Sequence, residues 1–501
     1  MINRRSFLAA AVSAAVLTGC AAGPDYDRPY VPVPKDYRHI QGEEAGLGLL
    51  KARWWTEYND PNLNFFVSKA IANNRTLQQT MANVERAAAQ LTVARSNLFP
   101  QLNYSGDLGK SKASLNTPTG AAMGDKPIKS YETLASASWE IDLWGKIRRQ
   151  TESARATLRA TEAAHRAAIS SVIGSVISTY LSILTTEEQY KIAVETAESY
   201  HKTYQLFLLR FKHGNVSEME VAQAWSQWES AMVQIPQIRQ NNTELKNSLS
   251  VLTGVPVDDF PKFKTLDELN VPAVVVGIPS QLLEERPDVI QAEEQLRAAN
   301  ADIGAAKALY FPSISLSGGL GFSSDQLKEL FKGPSKVWQY AGNISGPIFH
   351  WGAVTAGVRS AEAQQKALLA AYQLAVSTAF ADVDNALSRR QNVIEELRSK
   401  RMSLEDYSRL ANAQYQGGYT GYFTVLQAEQ SLLPQQISLA EVKSRALNSV
   451  AQVYQALGGG WIDQALIEEQ EAIREIEEAE KLKKQPVKPT TAQPMQKSAD
   501  G

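Results

Sequence analysis

The sequence predicts a mainly α-helical fold with a membrane β-barrel, made of tandem-duplicated helix–strand–strand–helix halves. Three observations predict this class. Residues 286–312 repeat an earlier stretch 212 positions back, and a short run of alternating polar and apolar residues follows each copy. Each half then contains a helical pattern far longer than globular helices need. The repeat is carried by Leu77 and Val289, Val84 and Leu296, Ala87 and Ala299, Leu91 and Ile303, Ala94 and Ala306, and Phe99-Pro100 and Phe311-Pro312.

Residues 1–19 have the form of a secretory signal peptide. Arg4 and Arg5 precede the apolar run FLAAAVSAAVL, and the pattern ends at the only cysteine of the chain, Cys20. The sequence LTGC resembles the bacterial lipobox, whose cysteine is acylated and becomes the mature N-terminus. Ala21 follows, which by resemblance to lipoprotein sorting rules implies the outer membrane. A plain signal peptide with a coincidental cysteine is the alternative, and the export route, Sec or twin-arginine, stays open.

The first half begins after an extended segment. Residues 20–61 are rich in proline and tyrosine and are predicted to lead from the acylated end to the folded body. Trp54-Trp55 and Asp60-Pro61-Asn62 then introduce a helix over residues 62–98, in which apolar residues recur at helical spacing. Pro100 ends this helix.

Four alternating runs are predicted to be β-strands. They start at Gln101, Tyr131, Ser313 and Trp338, and a polar loop over residues 109–130 joins the first two. Runs of roughly ten residues with one apolar and one polar face fit transmembrane strands, whereas amphipathic hairpins on a soluble core are the alternative. Four strands cannot close a barrel, and open edges in lipid leave unpaired backbone groups. Strands that span a membrane therefore require an oligomer that shares one barrel.

Very long helices follow the strand pairs. They run from Gly145 to about Lys212 and from Gly352 to about Gln416, and each spans on the order of 100 Å at 1.5 Å per residue. Residues 167–186 are uncharged like a membrane helix, but their five serines favour a tightly packed bundle helix.

The predicted domain boundaries follow from these patterns. Residues 1–19 are the signal peptide and 20–61 the extended segment, while 62–253 and 286–460 are the two repeats. Residues 254–285 are a proline-containing linker with little regular structure. Residues 461–501 form a charged tail, with a short surface helix after Trp461 and a disordered end.

These motifs resemble those of the TolC-like outer membrane factors, specifically the acylated, OprM- or NodT-like branch that serves RND-type efflux. The resemblance covers residues 17–461, and RPDVxxAE followed by IGxAxAxxFP is its most specific part. The family implies a homotrimer with a twelve-stranded barrel in the outer membrane and a long α-helical barrel in the periplasm. It also implies passive export, with a periplasmic adaptor (membrane fusion) protein and an inner-membrane pump as partners.

The resemblance gives the glycine breaks a position at the periplasmic tip. Gly214 and Gly418 are expected to form the turns where each long helix reverses, with Phe211 and Tyr415 packing across the hairpins. The alternative is that all four are only turn and packing residues. Several relatives have an acidic ring inside the tip, but the corresponding stretch 424–427 carries no carboxylate. Glu218 and Glu220 are the candidates to supply one.

Other functions find little support in the sequence. A net charge of −2 without a basic patch argues against nucleic acid. The five histidines have no metal-ligand spacing, and we find no nucleotide loop or catalytic motif, so we expect no enzyme activity, metal or cofactor. Asp288, Glu293 and Glu294 are interpreted as acidic residues that offset the dipole of a helix N-terminus. A trimeric coiled-coil surface lipoprotein is the alternative function, and a periplasmic adaptor is a third reading.

Overall fold

The structure is a computed structural model that describes residues 21–32, 34, 38, 52–274, 282–403, 406–471 and 474. The predicted signal peptide and Cys20 lie outside the described residues. The chain divides into two compact units. The first contains Met1–Tyr37, Arg75–Ala168 and Pro279–Val383, and the second contains Arg38–Asn74, Ile169–Ile278 and Asp384–Gly501.

Helices account for most of the described chain, and four strands form its sheet. The helices of the first half are α1 Pro61–Asn73, α2 Arg75–Ser96, α3 Pro118–Met123, α4 Lys146–Lys212 and α5 Glu218–Thr253. Those that follow are α6 Leu282–Glu285, α7 Pro287–Ala308, α8 Ala353–Ser403, α9 Asp406–Gln416 and α10 Tyr422–Leu457. The strands are β1 Gln101–Ser111, β2 Ile128–Ile141, β3 Ser313–Ser324 and β4 Lys336–Ser345.

The duplication is visible in the elements of the first unit. Helices α2 and α7 each have 22 residues, and their first residues are 212 positions apart. Strands β1 and β3 begin at the same separation. Leu77 and its counterpart Val289 are both buried, as are Ala87 and Ala299. The prediction of duplicated helix–strand–strand–helix halves is therefore confirmed.

The first helix was predicted wrongly as one element over residues 62–98. It consists of α1 and α2, separated at Asn74, whose ψ of 125° is not helical. The Asn74 side chain is buried and its Nδ2 donates a 2.8 Å hydrogen bond to the carbonyl oxygen of Leu252. This tertiary contact fixes the break, and no proline or glycine marks it in the sequence.

The hairpin β1–β2 is longer than predicted. The ladder continues without a bulge to the pair Ser111 and Ile128, so the loop of residues 109–130 shrinks and contains the short helix α3. Backbone pairing extends past the end of the alternating pattern because the ladder is formed by main-chain N–H and C=O groups, which do not depend on the alternation of side chains. The linker is also more regular than expected, since it includes the 3₁₀ helices Val257–Asp259 and Leu266–Glu268 and the helix α6.

An aromatic cluster in the core of the second unit includes residues close to the predicted boundaries at 61 and 461. Trp54 stacks on Tyr454 at 4.5 Å between ring centroids, and Trp461 meets Trp54 and Trp55 edge-on. Trp54 and Trp55 therefore belong to the folded core rather than to an extended segment, within the 3₁₀ helix Trp54–Tyr58. Residues after Trp461 are helical to 471 and bury Ile462 and Ala465, so this part of the predicted tail is integral to the unit.

The uncharged part of α4 packs inside the protein. By length and composition α4 is the one described helix that could cross a membrane. Ile173, Ile177 and Leu181 are fully buried within the chain, as the serine-rich pattern predicted for a bundle helix. In the second half the corresponding helical pattern is covered by α8 and α9, and residues 404 and 405 between them lie outside the described residues.

Candidate functional site

The register of the sheet collects the apolar side chains on one face. The strand order is β1-β2-β3-β4, with every neighbouring pair antiparallel and matched one to one. Leu102 lies opposite Ala137, Trp139 opposite Leu316, and Leu320 opposite Trp338. The apolar face comprises Leu102, Tyr104, Leu108, Tyr131, Ala135, Ala137, Trp139, Ile141, Ile314, Leu316, Leu320, Phe322, Trp338, Tyr340 and Ile344.

The opposite face of the same sheet is polar. Ser138 lies between Gln101 and Ser317, and Glu132 lies between Asp107 and Ser323. Because side chains alternate with a period of two, a slip of one residue in any strand would mix the two faces. The pairing therefore builds a sheet with one face suited to hydrocarbon and one suited to water.

The apolar face is uncovered in the single chain. Tyr104 is 93% exposed and Tyr340 is 81% exposed. Apolar surface left in water costs about 25 cal/mol per Å², so a face of this extent needs a nonaqueous neighbour. Strands β1 and β4 also each keep one edge that has no partner in the described sheet. Both features fit strands that span a membrane within a larger barrel.

The two glycine breaks are copies of one turn. The N–H of Gly214 donates to the Phe211 carbonyl and that of Asn215 to the Arg210 carbonyl, each at 2.9 Å. In the second half Gly418 donates to Tyr415 at 3.0 Å and Tyr419 to Gln414 at 2.9 Å. This pair of bonds is the Schellman motif, which satisfies the last carbonyls of a helix.

Glycine is required at both turns by backbone conformation. Gly214 has a φ of 74° and Gly418 a φ of 75°. A Cβ atom at either position would meet no atom within 4 Å, so space does not restrict these sites. The left-handed conformation itself disfavours other residues, by roughly 1–2 kcal/mol.

The aromatic residues before these glycines have different surroundings. Arg210 Nη1 donates a 3.0 Å hydrogen bond to the Tyr415 hydroxyl, which connects the end of α4 to the end of α9. Phe211 occupies the equivalent position in the first turn and is 41% exposed. Tyr415 thus contacts the other hairpin, whereas much of the Phe211 ring stays accessible.

The two candidate acidic residues of the tip have unequal roles. The Glu220 carboxylate accepts hydrogen bonds from the Ser217 backbone N–H at 2.7 Å and from its hydroxyl at 2.9 Å, completing a capping box at the start of α5. These bonds, the backbone one first, hold the pKa of Glu220 below its usual value. The sequence signature Ser217-x-x-Glu220 could have revealed this cap. Glu218 is exposed in the first turn of α5, and the N-cap residue of α10, Gly421, provides no side-chain hydrogen bond to that helix.

Residues 21–28, here called the strap, form a docked N-terminal segment whose contacts were not predicted from the sequence. Ala22 donates its N–H to the Trp144 carbonyl at 2.9 Å, and Asn300 Nδ2 donates to the Pro24 carbonyl at 3.1 Å. Gly304 leaves room for the strap, since a Cβ there would lie 2.5 Å from the Ala22 carbonyl oxygen. A glycine inside a predicted helix was the available signal for this close backbone approach.

Charged side chains secure the other end of the strap and correct the interpretation of two carboxylates. Arg28 of the strap pairs with Glu293 at 2.9 Å, whereas Arg297 pairs with Glu294 at 3.0 Å within α7 itself. Helix α7 begins at Pro287, so Glu293 and Glu294 lie beyond its first turn and hold arginines rather than offset its dipole. Burial raises the pKa of Glu294 above its usual value. Only Asp288 occupies the first turn.

No cluster of three or more His, Cys, Asp or Glu side chains suited to a metal ion occurs within the described ranges.

Comparison with known proteins assigns the chain to a family. The outer membrane efflux protein profile matches residues 66–255 and 278–459. The chain belongs to the outer membrane efflux protein family.

Individual relatives agree with this membership over nearly the whole chain. The toluene efflux pump outer membrane protein TtgC of Pseudomonas putida is 32% identical and covers 92% of this chain and 96% of its own. The probable outer membrane lipoprotein SilC of Salmonella typhimurium is 32% identical, with 89% and 97% covered. The CmeC outer membrane channel of Campylobacter jejuni matches with a TM-score of 0.83 at 29% identity, covering 88% and 95%.

This outer membrane efflux protein is therefore an outer membrane channel of a tripartite efflux system, as the sequence motifs predicted. Its two-faced sheet corresponds to the barrel wall, and its paired long helices correspond to the helical barrel of the family fold. The alternative of a trimeric coiled-coil surface lipoprotein receives no support from the relatives. The family function is transport.

Proposed function

We propose that three copies of this chain close one twelve-stranded barrel and form a passive export duct across the outer membrane and periplasm. The observation that carries the proposal is the four-stranded sheet, with an apolar face and two free edges. In lipid each unpaired backbone group on such an edge costs several kcal/mol. Pairing β4 of one copy with β1 of the next removes every edge.

The duplication supplies the register of that seam. Strands β1 and β3 correspond at a separation of 212 positions, and β2 and β4 at 207, as for Trp144 and Trp351. With these separations the pair Gln101–Ser138 becomes Ser313–Ser345, which is the observed register of the second hairpin. The β2–β3 pairing is then the internal counterpart of the seam. In the observed β2–β3 ladder Ser138 pairs with Ser317. The counterpart of Ser138 in β4 is Ser345, and the counterpart of Ser317 in β1 is Ser105, so the seam places Ser345 opposite Ser105 of a second copy.

Exposed aromatic residues support the same seam. Trp144 stacks on Phe311 at 4.6 Å, and its Nε1 donates a 2.8 Å hydrogen bond to the Pro312 carbonyl. The duplicated counterparts are Trp351, which is 89% exposed, and Phe99, which is 63% exposed. Seating Trp351 on Phe99 of the next copy would repeat the Trp144–Phe311 contact and cover both rings.

The other partners follow from family membership and from the N-terminus. We assign an acyl anchor in outer membrane lipid to Cys20, a periplasmic adaptor protein as the partner of the Gly214 and Gly418 turns, and an inner-membrane pump as the energy source. SilC, a relative of equal identity, is named as a lipoprotein. The polar face of the sheet lines the duct, through which solutes pass without chemical change.

Cysteine crosslinking tests the seam directly. A Ser105→Cys plus Ser345→Cys variant should form disulfides between chains and give covalent dimers and trimers on a denaturing gel. The matched control is Ser138→Cys plus Ser317→Cys, the equivalent pair inside one chain, which should crosslink without raising the mass. Cys20 is the only natural cysteine, so a Cys20→Ala background identifies any contribution from it.

Planar-bilayer conductance of the uncrosslinked protein completes the test. Discrete conductance steps from trimers are the expected result. Monomers by mass, an absence of chain-to-chain disulfides while the control pair oxidises, or trimers that never conduct would each contradict the shared barrel.

A further inference from the structure

We propose that the outer end of the apolar sheet face binds a phosphate-bearing lipid through Lys110, Lys129 and Lys336. The inference rests on the proposed barrel, which turns the apolar face towards lipid. This face would then bind a specific lipid as well as form the wall of the barrel.

The lysines lie on the apolar face by strict alternation. Lys110 continues the series of Leu102, Tyr104 and Leu108 on β1, and it is directly opposite Lys129 on β2. Facing side chains in a sheet have Cβ atoms about 4.5–5.5 Å apart, and like charges at this distance are destabilising. The pairing is therefore unfavourable unless an anion lies between the two ammonium groups.

No protein carboxylate supplies that anion within the described part of the chain. Lys110, Lys129 and Lys336 are exposed and form no ion pair among the described residues. Two lysines of the adjacent loops do find partners: Lys112 pairs with Asp125 at 2.6 Å and Lys332 with Glu329 at 2.7 Å. The lysines of the strands themselves, Lys110, Lys129 and Lys336, all lie on the apolar face.

The surface just inward of the lysines is suited to acyl chains. Leu108 and Tyr131 are the next residues on this face in β1 and β2. Beside Lys336 in β4, Trp338 and Tyr340 stack at 5.7 Å and are both largely exposed. Tryptophan and tyrosine favour the boundary between hydrocarbon and headgroups. A ligand with an anionic headgroup and an apolar tail matches both parts of the surface.

The polar face of the sheet favours a lipid over a soluble anion in transit as the ligand of these lysines. At the same end of the sheet it carries Asp107 directly opposite Glu132. Acidic groups therefore face the duct and basic groups face the outside. Anions would be repelled from the duct side and attracted to the lipid side.

The proposed seam places the three lysines on one continuous part of the lipid-facing surface. Thr133 pairs with Phe322 in the β2–β3 ladder. The counterpart of Thr133 in β4 is Tyr340 and the counterpart of Phe322 in β1 is Lys110, so the seam places Tyr340 opposite Lys110 of a second copy. Lys336 lies four residues outward of Tyr340 on the same face, which is about 13 Å along an extended strand, while Lys129 lies opposite Lys110. One chain thus contributes Lys336 and the next contributes Lys110 and Lys129, so each seam presents a lysine pair with a third lysine about 13 Å further out on the same face.

Titration with lipid A, followed by native mass spectrometry of the detergent-solubilised protein, tests the site. The probes are lipid A with both phosphates, lipid A with none, and inorganic phosphate as competitor. A Lys110→Gln, Lys129→Gln and Lys336→Gln variant is compared with Lys126→Gln, Lys328→Gln and Lys332→Gln, which removes the same charge from the loops. We expect the first variant to bind the phosphorylated lipid at least about tenfold more weakly than wild type. The loop variant should bind like wild type.

Other outcomes would overturn the proposal. Equal binding by wild type and the sheet variant, or equal binding of both forms of lipid A, would remove the phosphate site. Competition by inorganic phosphate at concentrations similar to those of the lipid would assign the lysines to a soluble anion. The oligomer mass is read from the same spectra, so a missing trimer is recognised as a failure of the shared barrel. The Lys110–Lys129 pair lies within one chain and is still tested in that case.

Discussion

The Tyr180 hydroxyl donates a hydrogen bond to Asp60 Oδ2, while Asp60 Oδ1 accepts one from the Asn62 backbone N–H at 2.9 Å. Both Asp60 and Tyr180 are fully buried. Burial, and next the bond to Asp60, raise the pKa of Tyr180, so the phenol stays a neutral donor. One carboxylate therefore caps α1 and satisfies a buried hydroxyl of α4.

Replacing Asp60 should destabilise the second unit strongly. Asp60→Ala removes the cap of α1 and leaves the Tyr180 hydroxyl without its acceptor, with an expected loss of about 2–4 kcal/mol. Tyr180→Phe should cost less, because the cap remains. Denaturant unfolding in detergent measures both variants and the double mutant. If the losses of unfolding free energy in the two single variants simply add in the double mutant, the hydrogen bond between Asp60 and Tyr180 does not contribute to stability.

Gly304→Ala should detach the strap. The new methyl group would approach the Ala22 carbonyl oxygen to within 2.5 Å, and backbone cannot yield as a flexible side chain can. We expect faster proteolysis after Arg28 and a lower unfolding midpoint. Gly357→Ala is the matched control in α8, where a Cβ meets no atom within 4 Å. It should raise helix stability by up to about 1 kcal/mol, and equal behaviour of the two variants would argue against the strap as a docked segment.

His165 should make stability depend on pH. His165 Nδ1 and Thr80 Oγ1 are hydrogen-bonded at 2.8 Å, and Thr80 Oγ1 is also 3.0 Å from the Leu77 carbonyl oxygen. Burial, and then the Arg166 charge, lower the pKa of His165 in the folded protein.

The unfolded chain binds a proton at His165 more readily than the folded chain does. The contribution of neutral His165 to the free energy of unfolding is therefore complete above the unfolded pKa of about 6.5. It is lost as pH falls through the lower folded value. Unfolding midpoints at pH 8 and pH 5 should differ less in His165→Gln than in wild type. An unchanged difference would assign the acid sensitivity to other groups.

Glu218 and Glu220 should affect conduction to different degrees. Single-channel conductance should change in Glu218→Gln plus Glu220→Gln if these carboxylates line the tip, and Glu218→Gln alone should give most of the change because Glu220 is held by Ser217. Glu220→Gln should preserve the capping box, since glutamine can replace glutamate there. Glu229→Gln, on the exposed surface of α5, is the control. Unchanged conductance in the double variant would remove both residues from the tip constriction.

Local patterns were sufficient for much of the architecture. The repeat at 212 positions predicted that α2 and α7 would match, and the alternating runs predicted which side chains share the apolar face. These features could be deduced because period-two alternation and helical spacing are written in neighbouring residues. The glycines at 214 and 418 were found for the same reason, since a helix reversal needs a local left-handed residue.

Contacts between distant residues were decided only by the tertiary structure. Asn74 breaks a helix because it reaches Leu252, and Trp54 joins Trp461 across nearly the whole chain. The strap likewise depends on distant residues, because its backbone approaches α7 closely at Gly304, where there is no side chain. Periodicity records which face of an element is apolar, whereas the partner of that face depends on which elements meet. The sequence alone thus determined the elements, their duplication and the family function, and packing decided where the helices break, which termini are buried and which carboxylates are already engaged.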